Sequence, residues 1–465
     1  MKRRFTFALG AILLASAAWT PTASAASEAE KLTAIQNGLL HLCVIQAANG
    51  SWSVSSTYTD AGTGAAVFAF LSQQTKWPSP ASCTNAATSS VVTFQTVVAN
   101  GIAFLLGDAV TEPGLHLNPA GQNICGEGGS SCTGIYWSGQ GRSTYSTGLV
   151  TPAIVTYGLG LGANATATTT GPLAGLTWKQ IAQGITDAFA AGQATSLNGN
   201  YDGGWHYSVP SNTDADGSTT QWGVIAIGYD ESLGAITPPS VKANLPTWLS
   251  HVQYTASGLT QGGYSSTGAA CYDLSNSYCD HSETGGWEVA MQYVGSNLNA
   301  AQLNGISFLN TAWTEGPSGF FGLFGQPYAM WAVYKGLEST VGLHDTTHIT
   351  NLNTNCGAGV DPPGSGVCNW WEDMNHYLVQ HQNNPGVAGA GPVGSGPGGW
   401  PDLGGDWPDP LSTALFVNIL GATPLPGTIT QPPSTVPTLS VWGLVALGIL
   451  LAGFAAMRLR KAHSR

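Results

Sequence analysis

Five acidic side chains lie beside aromatic, glycine-rich stretches of this chain: Asp202, Asp214, Asp216, Glu283 and Asp402. Two carboxyls on separate loops can divide acid and base work when one is held protonated and the other ionised. Set across a cleft, such a pair is the equipment of polysaccharide cleavage, so these five are the candidate catalytic residues. Asp280, His281 and Glu283 form the densest group of metal-ligand side chains and are the candidate metal set. Trp205, Tyr207, Trp222, Trp287 and Trp400 offer flat faces to a ligand. The chain contains no Gly-x-Ser-x-Gly elbow, no P-loop and no His-Glu-x-x-His helix, and nothing in it calls for a cofactor.

Those residues need a scaffold, and hydrophobic periodicity supplies one. Leu39, Leu42, Val44 and Ile45 follow helical spacing, as do Ile181, Ile185, Ala188 and Phe189. The pattern recurs in pairs. First segments fall at about 32–46, 95–107, 178–193, 241–255, 300–314 and 370–383, and second segments at about 61–72, 146–160, 218–229, 283–294, 326–339 and 410–420. Asp60, Asp216 and Ser282 stand where N-cap or near-cap residues of second segments belong. Strand-like alternation is scarce, so the expected fold is all-α, with twelve main helices in six hairpins. The connecting loops repeat as well, with Asn49-Gly50-Ser51-Trp52, Asp202-Gly203-Gly204-Trp205, Gly262-Gly263-Tyr264 and Gly398-Gly399-Trp400-Pro401-Asp402 in four of the units.

Sixteen Trp and fifteen Tyr provide ample aromatic mass for a core. Seven of the 13 basic residues sit in the two ends of the chain and no acidic residue does, which leaves six against 25 in the body, a net charge near −19. Such a surface repels nucleic acid and suits cations or polar neutral ligands such as sugars. Eight cysteines fit an oxidising compartment. Cys125/Cys132, Cys271/Cys279 and Cys356/Cys368 are close in sequence, and Cys43 and Cys83 remain to pair across the first repeat.

Both ends read as targeting segments. Lys2-Arg3-Arg4, an apolar run from Phe5 to Trp19 and Ala23-Ser24-Ala25 describe a signal peptide over residues 1–25. At the other end, residues 439–457 are 19 uncharged positions followed by Arg458, Arg460, Lys461 and Arg465. This is long enough for one transmembrane helix with its basic end in the cytoplasm. Residues 422–436 form a Pro/Thr-rich spacer and 386–399 a Gly/Pro loop.

Pro437-Thr438-Leu439 with Trp442-Gly443, an apolar helix and a basic terminus resembles the IPTL-CTERM sorting signal of Gram-negative bacteria, with Val436 in place of Ile. The resemblance implies recognition by an exosortase-like membrane protease, transient membrane anchoring through the C-terminal helix, and delivery to the cell surface or beyond. A second resemblance covers the body. Gln46-Ala47-Ala48-Asn49-Gly50-Ser51-Trp52 and the run Asp216 to Trp222 are similar to repeats of the terpenoid cyclase and prenyltransferase superfamily. It implies an (α/α)6 toroid over residues 27–421, with Asp60, Asp202, Asp216, Glu283 and Asp402 brought to one mouth. An open α-solenoid is the other arrangement, but six units without a capping repeat favour closure. The superfamily's chemistry transfers poorly. Asp214-Ala215-Asp216-Gly217 lacks the last Asp of the cyclase Asp-x-Asp-Asp motif, although Asp216 holds the donor position. Cys125-Gly126-Glu127-Gly128 lacks the Gln of the thioester motif found on related toroids.

The expectation is therefore a surface-sorted protein whose mouth binds a ligand or partner, a glycan or a surface protein, without turnover. The alternative is a surface enzyme acting on polysaccharide as hydrolase or lyase; a terpenoid-cyclase-like enzyme stands further off because its motif is broken.

Overall fold

The computed structural model describes residues 25–54, 58–195, 202–210, 214–254, 268–275, 278–317, 321–353, 368–383, 397–405, 407–427 and 429. Nearly all of the expected signal peptide, Cys356, the sorting residues Pro437, Thr438, Leu439, Trp442 and Gly443, and the expected membrane helix at 439–457 lie outside them. Among the described residues no helix is long and apolar enough to cross a membrane.

The chain is mostly helical. Its helices are α1 (Glu28–Ile45), α2 (Thr59–Ser72), α3 (Phe94–Asp108), α4 (Ser143–Leu161), α5 (Trp178–Gly192), α6 (Gly217–Ser232), α7 (Pro239–Val252), α8 (His281–Tyr293), α9 (Ala300–Ala312), α10 (Pro327–Thr340), α11 (Trp370–His381) and α12 (Leu411–Leu420). Each expected segment is a helix with ends displaced by a few residues. One correction applies. The fold is not purely helical, because β1 (Ser82–Thr84) pairs antiparallel with β2 (Val91–Thr93), and β3 (Val110–Leu115) with β4 (Cys132–Tyr136). These strands are short, and Pro113 and Gly114 interrupt the alternation that would have announced β3. The expected cap and near-cap residues stand at these helix starts. Asp216 caps α6, Ser282 lies inside the first turn of α8 behind its cap Asp280, and Asp60 lies inside the first turn of α2.

One local device explains why the hairpins lie side by side. The Gln that follows an odd-numbered helix donates both to its own turn and to the next odd-numbered helix. Gln46 Nε2 reaches Gly50 O and Val97 O, each at 2.9 Å. Gln193 reaches Gly203 O and Val241 O at 2.8 and 3.0 Å, and Gln253 reaches Gly268 O and Ala301 O at 2.9 and 2.8 Å. Gln382 repeats the pattern at 2.8 Å, but its second acceptor is Ala34 O, in α1. The turn glycines are required for the same contact. Gly203 has φ +109°, and a Cβ there would stand 2.2 Å from Asn244 O. At Gly398 the equivalent clash is with Asn37 O, again in α1.

The turn tryptophans lock the inside of each hairpin. Trp52, Trp205 and Trp400 donate their indole N–H to Leu42 O, Phe189 O and Leu378 O at 2.7–2.8 Å. Their own backbone N–H groups donate to Thr63, Thr220 and Thr413 on the following helix. Trp137 does the same in the second unit through Leu105 O and Thr147.

The even-numbered helices pack in succession, α2 on α4, α4 on α6, α6 on α8, α8 on α10 and α10 on α12; α12 in turn packs on α2, and α1 packs on α11 and α12. Lys31 in α1 also pairs with Glu372 in α11 at 2.8 Å. The expected disulfides Cys43–Cys83, Cys125–Cys132 and Cys271–Cys279 are formed, and Cys368 is disulfide-bonded as well.

Candidate functional site: an aromatic pocket at the starts of the even-numbered helices

A cavity of about 540 Å³ opens where the N-terminal ends of the even-numbered helices meet. Each of these helices contributes to its wall. Tyr58 precedes α2, Arg142 and Tyr145 open α4, Ser218 opens α6, Asp280 and Glu283 open α8, Gln326 and Tyr328 open α10, and Trp407 precedes α12. Tyr207, Tyr272 and Tyr278 come in from the loops between helices. The volume falls in the range of ordinary small-molecule sites.

The aromatic side chains form a connected box. Trp407 stacks on Tyr328 with centroids 4.9 Å apart and 12° between planes, and Trp222 stacks behind both. Tyr145 meets Tyr328 and Trp407 edge-on and stacks against Tyr207 at 5.8 Å. Hydrogen bonds hold the box rigid: Tyr145 Oη donates to Ser218 Oγ and Tyr328 Oη to Ser218 O, each at 2.6 Å, and Tyr207 and Tyr272 share a bond of 2.9 Å. Arg142 lies over the Tyr207 ring, 4.7 Å from its centroid.

Carboxyls crowd one wall. Glu283 is 4% exposed, and its Oε2 has no hydrogen-bond partner. Burial, with Asp280 and Asp216 alongside, pushes it well above the usual carboxylate range. Asp280 is also buried, but it accepts bonds from Ser282 Oγ at 2.7 Å and Glu283 N at 3.1 Å. Burial outweighs these bonds and lifts it to about 6. Asp216 sits just behind the wall, 1% exposed, accepting from Ser218 Oγ, Thr219 N and Thr219 Oγ1 at 2.6–2.8 Å. Burial again raises its pKa. His206 stands between the buried Asp216, 3.6 Å away, and the half-exposed Asp214, 3.3 Å away.

Of the five candidate acids, only Glu283 lines the pocket. Asp402 acts indirectly, since its carboxylate accepts from Gly404 N and Trp407 N and so shapes the loop that presents Trp407. Asp202 and Asp60 do not line it, and Asp60 is hydrogen-bonded to Asp108. The metal set is not assembled. Asp280 and Glu283 share the wall, but His281 turns away to Ala312 O at 2.9 Å, and among the described residues no three ligand-type side chains are placed to hold a metal ion. Of the proposed ligand-binding aromatics, Tyr207 lines the cavity and Trp222 backs it, whereas Trp205, Trp287 and Trp400 spend their N–H groups on backbone carbonyls.

Sequence reasoning missed Tyr145, Tyr272, Tyr278, Tyr328, Trp407 and Arg142 as wall residues. Their common signal is position: an aromatic or polar side chain in the first turn of a second segment, or just before one.

Comparison with known proteins adds one finding. Residues 435–461 match the IPTL-CTERM motif. This is a sorting signal read by an exosortase, and it marks the chain as exported and sorted to the surface. No curated protein matches the chain.

Proposed function

We propose that the exported body is an (α/α)6 toroid whose one mouth is a ligand-binding pocket, displayed at the surface by the C-terminal sorting tail. The return of α12 onto α2, and the use by Gln382 of the same stitch to α1 that joins the other units, support the closed arrangement. The observation that carries the function is the cavity itself. About 540 Å³ is walled by side chains from the starts of all six even-numbered helices, with rings and tyrosine hydroxyls before or within α2, α4, α10 and α12 and in the loops, and carboxyls from α8. Flat rings suit the apolar face of a ligand such as a sugar, and the hydroxyl and carboxyl groups suit its polar edge. Intrinsic tryptophan fluorescence during titration with oligosaccharides tests this reading. Saturable quenching that is lost in Trp407→Ala supports it, and no response from any oligosaccharide or from small organic ligands defeats it.

A second reading has its own observation. Asp280 near 6 and Glu283 well above the carboxylate range are two acids in one wall whose environments hold them apart, the condition for acid and base roles in glycan hydrolysis or elimination. Release of reducing ends or unsaturated sugars, abolished in Glu283→Gln, would make the protein an enzyme. A terpenoid-cyclase-like activity fits less well, because Asp216 is not among the residues that line the cavity.

A further inference from the structure

The electrostatics of the pocket narrow its ligand further, on the premise that this cavity is the binding site. Three buried carboxyls, Asp216, Asp280 and Glu283, lie within electrostatic reach of one another on one side. The Glu283 carboxyl lines the cavity, yet its buried Oε2 accepts no hydrogen bond. The same cavity is lined by the rings of Tyr145, Tyr328 and Trp407, and aromatic faces carry the negative end of the ring quadrupole. Rings in this pocket already hold a cation, since Arg142 is stacked over Tyr207. Among the described residues Arg142 is the single Lys or Arg in the lining, and none of the ion pairs described joins it to Glu283. A neutral sugar would hydrogen-bond to the Glu283 wall but would not relieve the crowding of three acids. A positively charged group would do so, and would gain the ring faces as well.

We propose that the pocket takes an organic ammonium group, seated between the Tyr145–Tyr328–Trp407 rings and the Asp280–Glu283 wall. The group can belong to a small alkylammonium compound or to an amino sugar within a glycan; the shared chemistry is a cation with an apolar or ring-shaped body. Burial pushes the Glu283 carboxyl well above its usual range in the free protein, and a cation seated against it favours the ionised form.

Calorimetric titration of the full-length chain separates the possibilities. The probes are choline and its uncharged isostere 3,3-dimethylbutan-1-ol, and chitosan oligomers and their fully N-acetylated counterparts. The charged member of at least one pair binds about tenfold more tightly than its neutral partner, the preference expected of a desolvated cation–π site. The pair that shows the preference identifies the source of the ammonium group. Glu283→Gln removes most of the preference, and Trp407→Leu, in a partly exposed loop, weakens the charged probe while circular dichroism and melting stay unchanged. Equal affinity within both pairs, or a preference that survives Glu283→Gln, overturns the cation proposal but leaves the pocket reading standing. Failure of all four probes at millimolar concentration overturns the proposal outright, and the oligosaccharide titration decides separately whether the pocket binds anything.

Discussion

The two ends of the even-numbered helices are closed in different ways. At their N-terminal ends the Glu283 carboxyl is buried without a hydrogen-bond partner at Oε2 beside a cavity. At their C-terminal ends the segment after α12 folds back across the helices, with Thr423, Leu425 and Ile429 buried. There the polar groups meet. Lys335 Nζ donates to Thr423 O and pairs with Glu338 at 3.2 Å, Tyr334 Oη donates to Thr423 O at 2.9 Å, and Tyr229 Oη donates to Pro424 O at 3.2 Å. Gln73 and Lys76 add bonds to Thr423 Oγ1 and Gly421 O at 2.7 and 2.8 Å. One end is filled by a segment bonded from α2, α6 and α10, although Asp230 Oδ1 and Gln73 Oε1 there keep no partner; the other is left as a cavity with Glu283 in its wall. The difference separates a structural closure from a site. It also means that the chain runs on toward its sorting tail from the end opposite the pocket, so the first residues of the spacer are docked on the body.

The largest effect should come from breaking the filled end. Lys335→Ala leaves Glu338 and the Thr423 carbonyl buried without their cation and should cost about 3–5 kcal/mol, read as a fall in urea midpoint with pocket binding unchanged in the folded fraction. Leu425→Ala, which empties a buried apolar site in the same segment, should cost about 2–4 kcal/mol in the same assay. If either variant melts like the parent, the docked segment is not a structural closure.

At the other end the sign should reverse. Glu283 binds its proton more tightly folded than unfolded, so its contribution to stability falls as pH rises above the ordinary carboxylate value. Asp280, at about 6, adds a loss of the same sign between about pH 4 and pH 6. Glu283→Gln should therefore raise the melting temperature by about 1–3 °C at pH 8, with the two proteins converging near pH 4. His281 opposes this from the acid side. Burial lowers it to about 4, so its neutral form supports the fold above the ordinary histidine value, and that support is lost as pH falls through 6.5 toward 4. The two acids outweigh the histidine, so parent stability should fall as pH rises from about 4 to 8; a flat profile over that range would contradict these assignments. The smallest stability effect belongs to Trp407→Ala, about 1 kcal/mol or less, because the ring is partly exposed on a loop. That variant should nevertheless lose ligand-induced fluorescence quenching, which would separate binding from folding at this end as Lys335→Ala does at the other.

Much of the scaffold was legible in one dimension because its rules are local. The Gln-to-Gly spacing that closes each turn, the glycine that lets the next helix approach, and the indole that returns to its own helix all lie within a few residues of one another. The β1–β2 and β3–β4 hairpins escaped because strands of three to six residues carry too few alternations to register. The turn tryptophans misled for the same local reason. An indole beside glycines looks available to a ligand, yet Trp205 and Trp400 are fully buried and hydrogen-bonded to backbone.

Sequence alone determined the twelve helical segments, the acidic body and the sorting signal, since each depends on side chains close together along the chain or on composition; it suggested the cysteine pairs, and the tertiary structure fixed them. Tertiary structure alone decided that Tyr145, Tyr328 and Trp407 share one cavity and that Glu283 faces it while Asp202 and Asp402 do not. Those residues belong to different hairpins, and only the packing of each even-numbered helix on the next brings their first turns together and excludes the water that would otherwise have held Glu283 near the ordinary carboxylate range.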